Sequence, residues 1–273
     1  MSRISQRFAA LRNVNRAAFV PFITAGDPDP ATCFEILRRL PAAGADVIEL
    51  GVPFSDPMAD GPAIQASSLR ALNAGATPGN VLEMVRAFRK FDRETPLVLM
   101  GYYNPIHAYG AGHFVEEAAG AGVDGLITVD LPPEEDAILR SPAIAHELDI
   151  IRLATPTTDD SRLSTILDGA TGFLYYVSVA GVTGTKSHSG QDVKRALARI
   201  RTHTRIPVAV GFGIKSPDQA GEIARFADGV VVGSAIVSRI GQSQGSPVID
   251  DVLQFCGTLA ESVHAARDRA VLE

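Results

Sequence analysis

Eight short apolar runs recur along the 273-residue chain, and they alternate with amphipathic stretches from start to finish. The runs are nearly continuously apolar, which is typical of parallel strands that are covered on both faces. Several of the amphipathic stretches begin at a capping residue followed by proline, which indicates helices; the predicted caps are Asp29, Thr77 and Ser216. The predicted strands are 19–24, 47–50, 97–101, 125–130, 150–154, 173–178, 208–211 and 230–233.

Eight βα units that close on themselves form a TIM (β/α)8 barrel, and this is the fold that the pattern predicts. An open doubly wound sheet is the alternative, but it would more often have fewer strands and a glycine-rich turn after the first one. The segment 19–27 contains no such turn, and no linker divides the chain. We therefore expect residues 1–273 to form a single barrel domain. An extra N-terminal helix is predicted from the apolar face of Ile4, Phe8 and Leu11.

The insertions between strands indicate where the chemistry lies. The gap between the second and third strands has room for two helices, 63–72 and 78–91, so we expect one extra helix there. The loop 179–191 is also long and rich in glycine, serine and threonine. Because βα loops of a barrel all emerge at the C-terminal face of the sheet, both insertions are expected at the active-site end.

Composition limits the compartment and the class of partner. The formal net charge of -6 disfavours nucleic acid and anionic membranes as partners. No apolar run approaches the ~20 residues that span a bilayer. The two cysteines, Cys33 and Cys256, form no CxxC or Cys/His cluster and are predicted to be reduced core residues. We therefore expect a cytoplasmic protein.

The stretch 47–65, VIELGVPFSDPMADGPAIQ, carries the acids that we expect to be catalytic. Glu49 interrupts the apolar strand just before it ends, and Asp56 and Asp60 follow in the loop. A carboxylate buried in a strand is costly unless it has a partner or a task. Two acids in one cleft can divide general acid and base roles, so Glu49 and Asp60 are the candidate pair. The alternatives are an outward-facing Glu49 paired with a basic helix residue, and aspartates that serve only as turn residues.

Glycines follow the last three predicted strands, at 181–184, at Gly211 and Gly213, and at Gly233 before Ser234. Loops after strands seven and eight of a barrel, with a helix N-terminus, commonly bind phosphate. Glycines let backbone N–H groups approach an anion, which needs no basic side chain. Three consecutive strand ends of this kind predict a phosphorylated ligand.

The residues that are missing narrow the chemistry further. None of the four lysines lies within an apolar strand, so a Schiff-base aldolase lacks its nucleophile. The six histidines are scattered, so a metal-dependent aldolase lacks ligands and no metal is predicted. Carboxylate acid–base chemistry on an organic phosphate remains.

Aromatic residues on or next to strand ends would suit a flat apolar substrate group, although core packing explains most such residues; they are Phe22, Tyr102, Tyr103, Tyr175, Tyr176 and Phe212.

Five motifs, in chain order, resemble the tryptophan synthase alpha subunit family. They are PFITAGDP at 21–28, ELGVPFSDPMADGPAIQ at 49–65, DLPPEE at 130–135, SVAGVTG at 178–184 and GFGI at 211–214. The similarity covers essentially the whole chain. It implies cleavage of indole-3-glycerol phosphate to indole and glyceraldehyde 3-phosphate, a carbon–carbon lyase reaction of tryptophan biosynthesis with no cofactor in this subunit.

The resemblance also implies roles for individual residues. In that family the glutamate matching Glu49 is the acid–base catalyst, and the aspartate matching Asp60 contacts the indole N–H and stabilises positive charge on the ring. Tyr175 matches a tyrosine beside the glutamate. Thr183 matches a residue of a loop that closes onto the aspartate, so the segment 179–191 is expected to be a lid that excludes water.

The resemblance also implies which residues contact the substrate. Phe22, Tyr102 and Phe212 match the wall of the indole pocket, and Gly184, Gly213, Gly233 and Ser234 match the phosphate cradle. Val179 stands where some relatives carry arginine, a departure that bears on lid contacts or subunit communication rather than on the chemistry.

Members of the family pair with a PLP-dependent beta subunit that consumes the indole, in an α2β2 assembly. Pro53, Asp56, Asn104 and Pro132 lie in loops that match the contact surface, although each is also an ordinary loop residue. PLP is expected only in that partner.

Two alternative functions stay open: a free-standing indole-3-glycerol-phosphate lyase, and a catalytically idle activator of the beta subunit. Other phosphate-binding barrels fit less well. An epimerase would be expected to offer metal ligands, and indoleglycerol-phosphate synthase a lysine on a strand.

Overall fold

The computed structural model describes residues 1–178, 190–211, 213–242 and 247–267, and its strands all pair in parallel within one sheet. The strands are β1 (Ala18–Thr24), β2 (Ile48–Gly51), β3 (Leu97–Gly101), β4 (Gly125–Thr128), β5 (Asp149–Ile150), β6 (Arg152–Ala154), β7 (Leu174–Val177), β8 (Val208–Gly211) and β9 (Gly229–Val232).

The sheet closes into a barrel. Its strand order is β5-β4-β3-β2-β1-β9-β8-β7-β6, and the two edge segments, β5 and β6, are separated in the chain only by Ile151. The predicted TIM barrel is therefore confirmed. The predicted strand 150–154 is in two pieces, because β5 pairs with β4 whereas β6 pairs with β7. The other predicted strands agree with the observed ones to within two residues at each end.

Helices connect the strands and cover the outside of the barrel. They are α1 (Arg3–Asn13), α2 (Pro30–Arg39), α3 (Pro62–Asn73), α4 (Pro78–Phe88), α5 (Tyr103–Tyr109), α6 (Ala111–Ala121), α7 (Ala137–Ala145), α8 (Asp160–Leu167), α9 (Gly190–His203), α10 (Pro217–Ala224), α11 (Ser234–Gln242) and α12 (Pro247–His264). Both α3 and α4 lie between β2 and β3, as predicted. The short helix α5 was not predicted, because its sequence opens with Tyr-Asn-Pro and asparagine followed by proline is typical of a turn.

Local sequence explains where several helices begin. Asp29, Thr77 and Ser216 each accept a hydrogen bond from a backbone N–H in the first turn, and proline occupies the first helical position after each. Proline fits there because that position has no intrahelical use for its N–H. The three predicted caps are thus confirmed.

Two apolar layers hold the barrel together. Side chains that point inward from the strands fill the interior, and those that point outward pack against the helices. The N-terminal helix α1 contributes Ile4, Phe8 and Leu11 to the interior layer, where Phe8 lies 5.6 Å from Phe173 between ring centroids. The predicted extra N-terminal helix is confirmed. Cys33 and Cys256 are buried free thiols.

Nothing in the described segments is both helical and apolar over a length that would cross a bilayer.

Candidate active site

Glu49 lies inside the barrel because of the alternation of side chains along β2. Ile48 and Leu50 belong to the layer between sheet and helices, whereas Val47 belongs to the interior layer. Successive side chains of a strand point to opposite faces, so Glu49 shares the inward face of Val47. Its side chain is only 1 % exposed and lines a cavity at the barrel mouth. The alternative of an outward-facing acid is therefore wrong.

The environment of Glu49 favours its neutral form. Both carboxyl oxygens are buried and have no hydrogen-bond partner within the described residues. Burial, together with the negative charge of Asp60, raises the pKa of Glu49 from 4.5 to about 8. Desolvation penalises the charged form of an acid, and a nearby like charge adds to that penalty. At neutral pH Glu49 is therefore mostly a protonated acid that can donate a proton.

Asp60 stands at the end of the β2–α3 loop, one residue before Gly61, the N-cap of α3. Its main chain is held on both sides, because its N–H donates to the carbonyl of Pro57 (3.0 Å) and its carbonyl accepts from Nε2 of Gln65 (2.9 Å). Burial raises the pKa of Asp60 to about 6, and a hydrogen bond from Tyr102 opposes that rise. Asp60 is thus mostly ionised at neutral pH.

A hydrogen bond from the Tyr102 hydroxyl stabilises the ionised carboxylate of Asp60. The backbone N–H of Ala59 donates to the Tyr102 hydroxyl oxygen at 2.9 Å, which leaves the hydroxyl proton for the carboxylate of Asp60. Hydrogen bonds donated to an ionised carboxylate favour that form. Tyr102 lines a small cavity next to the main one, together with Phe22 and Asp60. Its observed contact is therefore with the acid, which the sequence did not suggest.

One cavity of about 120 Å³ brings together most of the predicted site residues that fall within the described segments. Glu49, Asp60, Phe22 and Tyr175 meet in it. Four apolar residues in its wall were missed from the sequence, because nothing distinguishes them from core residues: Ile64, Met100, Ile214 and Val231. Thr183, Gly184 and Phe212 lie outside the described residues, as do Val179 and most of the predicted lid.

Two glycines make room for the aromatic side chains of the cavity. A Cβ atom on Gly51 would lie 2.6 Å from the ring of Phe22, and one on Gly211 would overlap the hydroxyl of Tyr175. Both glycines end strands beside the acids. They are therefore explained by side-chain packing within the site, not only by turn geometry.

Glycines that follow β8 and β9 also line this cavity. Gly213, which adopts a positive φ of 85°, and Gly233 both lie there, and Ser234 begins α11. The carbonyl of Gly233 accepts hydrogen bonds from Ile236 and Val237 in the first turn of that helix. The first N–H groups of a helix have no partner within it and favour an anion. The predicted phosphate residues that fall within the described segments thus line one cavity, and Gly233 and Ser234 lie at the N-terminus of α11.

A larger cavity, of about 570 Å³, opens elsewhere between the ends of β4 and β6 and the helices α7 and α8. Its arginines already have partners: Arg140 and Arg152 bind Asp136, and Arg162 binds Glu134. Glu49 and Asp60 do not line it. The volume of a cavity therefore does not identify the candidate active site here. The site is identified by two acids with raised pKa values, Glu49 and Asp60, that line the same cavity.

The four predicted partner-contact residues all lie in loops or a helix start at the C-terminal end of the barrel strands. Asp56, Asn104 and Pro132 are exposed, whereas Pro53 is buried within this chain. Three of the four are thus accessible to another protein in the structure.

The fold and this cavity define a class: a (β/α)8 barrel with two acids inside its mouth and backbone amides at the ends of its last strands. Within the described residues, no group of three or more histidine, cysteine or acidic side chains could hold a metal ion. Such a site is suited to acid–base chemistry on a small phosphorylated molecule.

Comparison with known proteins identifies the family. Residues 8–264 match the family model described as tryptophan synthase alpha chain. Tryptophan synthase subunit alpha from Legionella pneumophila is 41% identical, with a TM-score of 0.89 over 98% of this chain and 99% of that chain. Tryptophan synthase from M. tuberculosis, in its aminoacrylate-bound form, is 34% identical, with a TM-score of 0.87 over 97% of this chain and 100% of that chain. The chain belongs to the tryptophan synthase alpha chain family.

Proposed function

We propose that this protein cleaves indole-3-glycerol phosphate to indole and glyceraldehyde 3-phosphate by a retro-aldol reaction, with Glu49 and Asp60 as its catalytic residues. Membership of the alpha chain family supports the reaction. The observation that carries the assignment of residues is the environment of Glu49: a fully buried acid without a hydrogen-bond partner among the described residues, whose pKa is raised to about 8. A carboxylic acid in that state can donate a proton at neutral pH.

The first step is protonation of the substrate. Glu49 donates its proton to C3 of the indole ring, which gives an indolenine cation and leaves Glu49 as a carboxylate. The positive charge spreads to the ring nitrogen, where the ionised Asp60 stabilises it through the N–H. The hydrogen bond from Tyr102 keeps Asp60 in the charged form that this role needs.

The second step breaks the carbon–carbon bond. The Glu49 carboxylate accepts the proton of the hydroxyl on the carbon attached to C3. That oxygen forms the aldehyde carbonyl, and the electron pair of the broken bond returns to the ring and neutralises the cation. Indole and glyceraldehyde 3-phosphate leave, and Glu49 is again protonated. Glu49 donates one proton in the first step and accepts one in the second, so it ends in its starting state. The reaction is therefore written without a redox partner or a cofactor in this subunit.

The phosphate group of the substrate is proposed to bind to backbone N–H groups that line the cavity. Gly213, Gly233 and Ser234 are proposed to hold it, because they line the same cavity and two of them lie at the start of α11. Gly184, Thr183 and Phe212, which lie outside the described residues, stay predictions for the cradle, the lid and the indole wall. Tyr175 is proposed to orient the ring beside Glu49, since both line the same cavity.

A beta subunit that uses PLP is the proposed partner, in an α2β2 complex. The exposed loops that carry Asp56, Asn104 and Pro132 are the proposed contact surface. Pro53 would act there only through the backbone of its loop, because its side chain is buried. Strong activation of indole release by an added beta subunit would support this, whereas full turnover without one would favour the free-standing lyase.

The catalytic assignment is tested by comparing Glu49→Gln with Glu94→Gln, an equivalent change at an exposed position between α4 and β3. Loss of general acid–base catalysis costs about 10²–10⁴-fold in rate. We expect indole release by Glu49→Gln to fall by about 10³-fold while indolepropanol phosphate still binds, and Glu94→Gln to match the parent protein.

Two results would count against the proposal in different ways. A parent protein that releases no indole from indole-3-glycerol phosphate, with or without a beta subunit, rejects the function and favours the idle activator. An active Glu49→Gln variant rejects only the catalytic role of Glu49.

A further inference from the structure

Lys215 lines the same cavity as the two acids. It lies two residues after Gly213, and Gly233 and Ser234 line the same cavity. Among the described residues that line this cavity it is the one basic residue, and Glu49 and Asp60 are the two acidic ones. The lining of the cavity therefore carries a cation as well as the two acids.

The backbone at Lys215 is fixed by the helix that follows. Its N–H donates to Oε1 of Gln219 at 2.8 Å, and the N–H of Gln219 donates to the hydroxyl of Ser216 at 3.3 Å. Ser216 is the N-cap of α10. The backbone of Lys215 is thus held in place beside the cavity, and the residue is exposed to solvent.

A lysine directly before a helix N-terminus is unfavourable for the helix, because both carry positive charge. Within the described part of the chain, no carboxylate lies within 4.0 Å of its ammonium group. A local conflict of this kind is most easily explained by a function. Here the lysine and the start of α11 both contribute positive potential to the lining of the cavity.

We propose that Lys215 binds the phosphate group of the substrate as a counter-ion and selects phosphorylated over unphosphorylated indole glycerols. The inference rests on the proposed function and adds a side chain to the predicted phosphate cradle of backbone groups. The phosphate is remote from the bond that breaks, so the interaction is equally strong in the ground state and the transition state. Such uniform binding lowers KM and leaves kcat unchanged.

The test compares Lys215→Met with two controls. Lys90→Met removes the same charge from an exposed residue just after α4, at the opposite end of the barrel. Lys215→Arg keeps the charge at the site. For each variant, kcat and KM for indole-3-glycerol phosphate are measured at low and at high ionic strength, together with the affinities for indolepropanol phosphate and for indolepropanol.

We expect Lys215→Met to raise KM and to weaken indolepropanol phosphate by about fivefold at low salt, as for a solvent-exposed ion pair. The difference should shrink as salt screens the pair. The affinity for indolepropanol and kcat should not change, Lys215→Arg should restore KM, and Lys90→Met should match the parent.

Failure of the inference is distinct from failure of the function. If the parent protein does not cleave the substrate, the proposed function falls. If the parent is active but Lys215→Met has the parent KM at low salt, or loses kcat instead, the role of Lys215 is overturned. A loss of affinity that is equal for indolepropanol would also overturn it, because the phosphate would not be the group recognised.

Discussion

Replacing Glu49 by glutamine should stabilise the protein, and increasingly so as the pH rises. The pKa of Glu49 is raised, so the folded state holds its proton more tightly than the unfolded state does. Below the ordinary pKa of 4.5 the carboxyl group is protonated in both the folded and the unfolded state, so folding buries no charged carboxylate. As the pH rises towards about 8 the unfolded state loses its proton first, and the folded state becomes progressively less stable relative to it. Glutamine has the same shape and no such dependence.

The magnitude follows from the two pKa values. Between 4.5 and about 8, each pH unit costs the folded state about 1.4 kcal/mol. The stability gained by Glu49→Gln should therefore be larger at about pH 8 than at about pH 5 by on the order of 3 kcal/mol. Asp60 titrates in both proteins, so its own contribution largely cancels in the difference.

Urea unfolding at the two pH values, followed by circular dichroism, measures this difference. Glu94→Gln is the matched control, because it removes a carboxylate that is exposed to solvent, and it should show no comparable dependence on pH. If the stability difference between Glu49→Gln and the parent is the same at both pH values, Glu49 is not held as a neutral acid and the reasoning is refuted.

Three other predictions concern the same groups and one structural pair. Activity should be bell-shaped in pH, falling below about 6 as Asp60 gains a proton and above about 8 as Glu49 loses one; a flat rate profile across this range would contradict it. Tyr102→Phe should move the acid limb to higher pH, because it removes the hydrogen bond that lowers the pKa of Asp60, and an unmoved limb in the rate profile would exclude that role. Arg70→Met should cost about 3 kcal/mol at neutral pH in urea unfolding, since it leaves the fully buried Asp27 without its bidentate partner; a loss below about 1 kcal/mol would show that the pair is dispensable.

The fold could be predicted from the sequence because each barrel strand is covered on both sides. That burial produces continuous apolar runs, and the helix caps mark where the next element begins. The break at Ile151 could not be predicted, because it reflects a change of pairing partner between β4 and β7, not a property of its own side chain. The single-domain organisation of residues 1–273 and a cytoplasmic location stay predictions.

Within the site, the sequence pointed to residues whose chemistry is unusual for their position. Glu49 stood out as a carboxylate in an apolar strand, and its inward direction was confirmed. Met100 and Val231 could not be found, because apolar strand residues look alike whether they line a cavity or a core. Lys215 was set aside because it is not on a strand. The signal that could have found it was its place two residues after Gly213, in a glycine-rich strand end.

The contacts of the Tyr102 hydroxyl could not be predicted from the sequence for a similar reason. Sequence position places this residue at the end of β3, next to the mouth, but it cannot show which atoms the hydroxyl reaches. The contacts with Ala59 and Asp60 depend on how the β2–α3 loop folds back across the barrel. That geometry comes from long-range packing, and it adds support of a charge to the predicted place of Tyr102 in the indole wall, which stays a prediction.

The central claim is that a neutral Glu49 and an ionised Asp60 share one cavity at neutral pH. Infrared difference spectra between the parent protein and Glu49→Gln, recorded as a function of pH, measure the protonation of this carboxyl group directly. The protonated-acid carbonyl band of Glu49 should persist through neutral pH and disappear near pH 8, and at lower pH in Asp60→Asn, where the repelling charge is gone. A Glu49 that is already ionised near pH 5 would contradict the account.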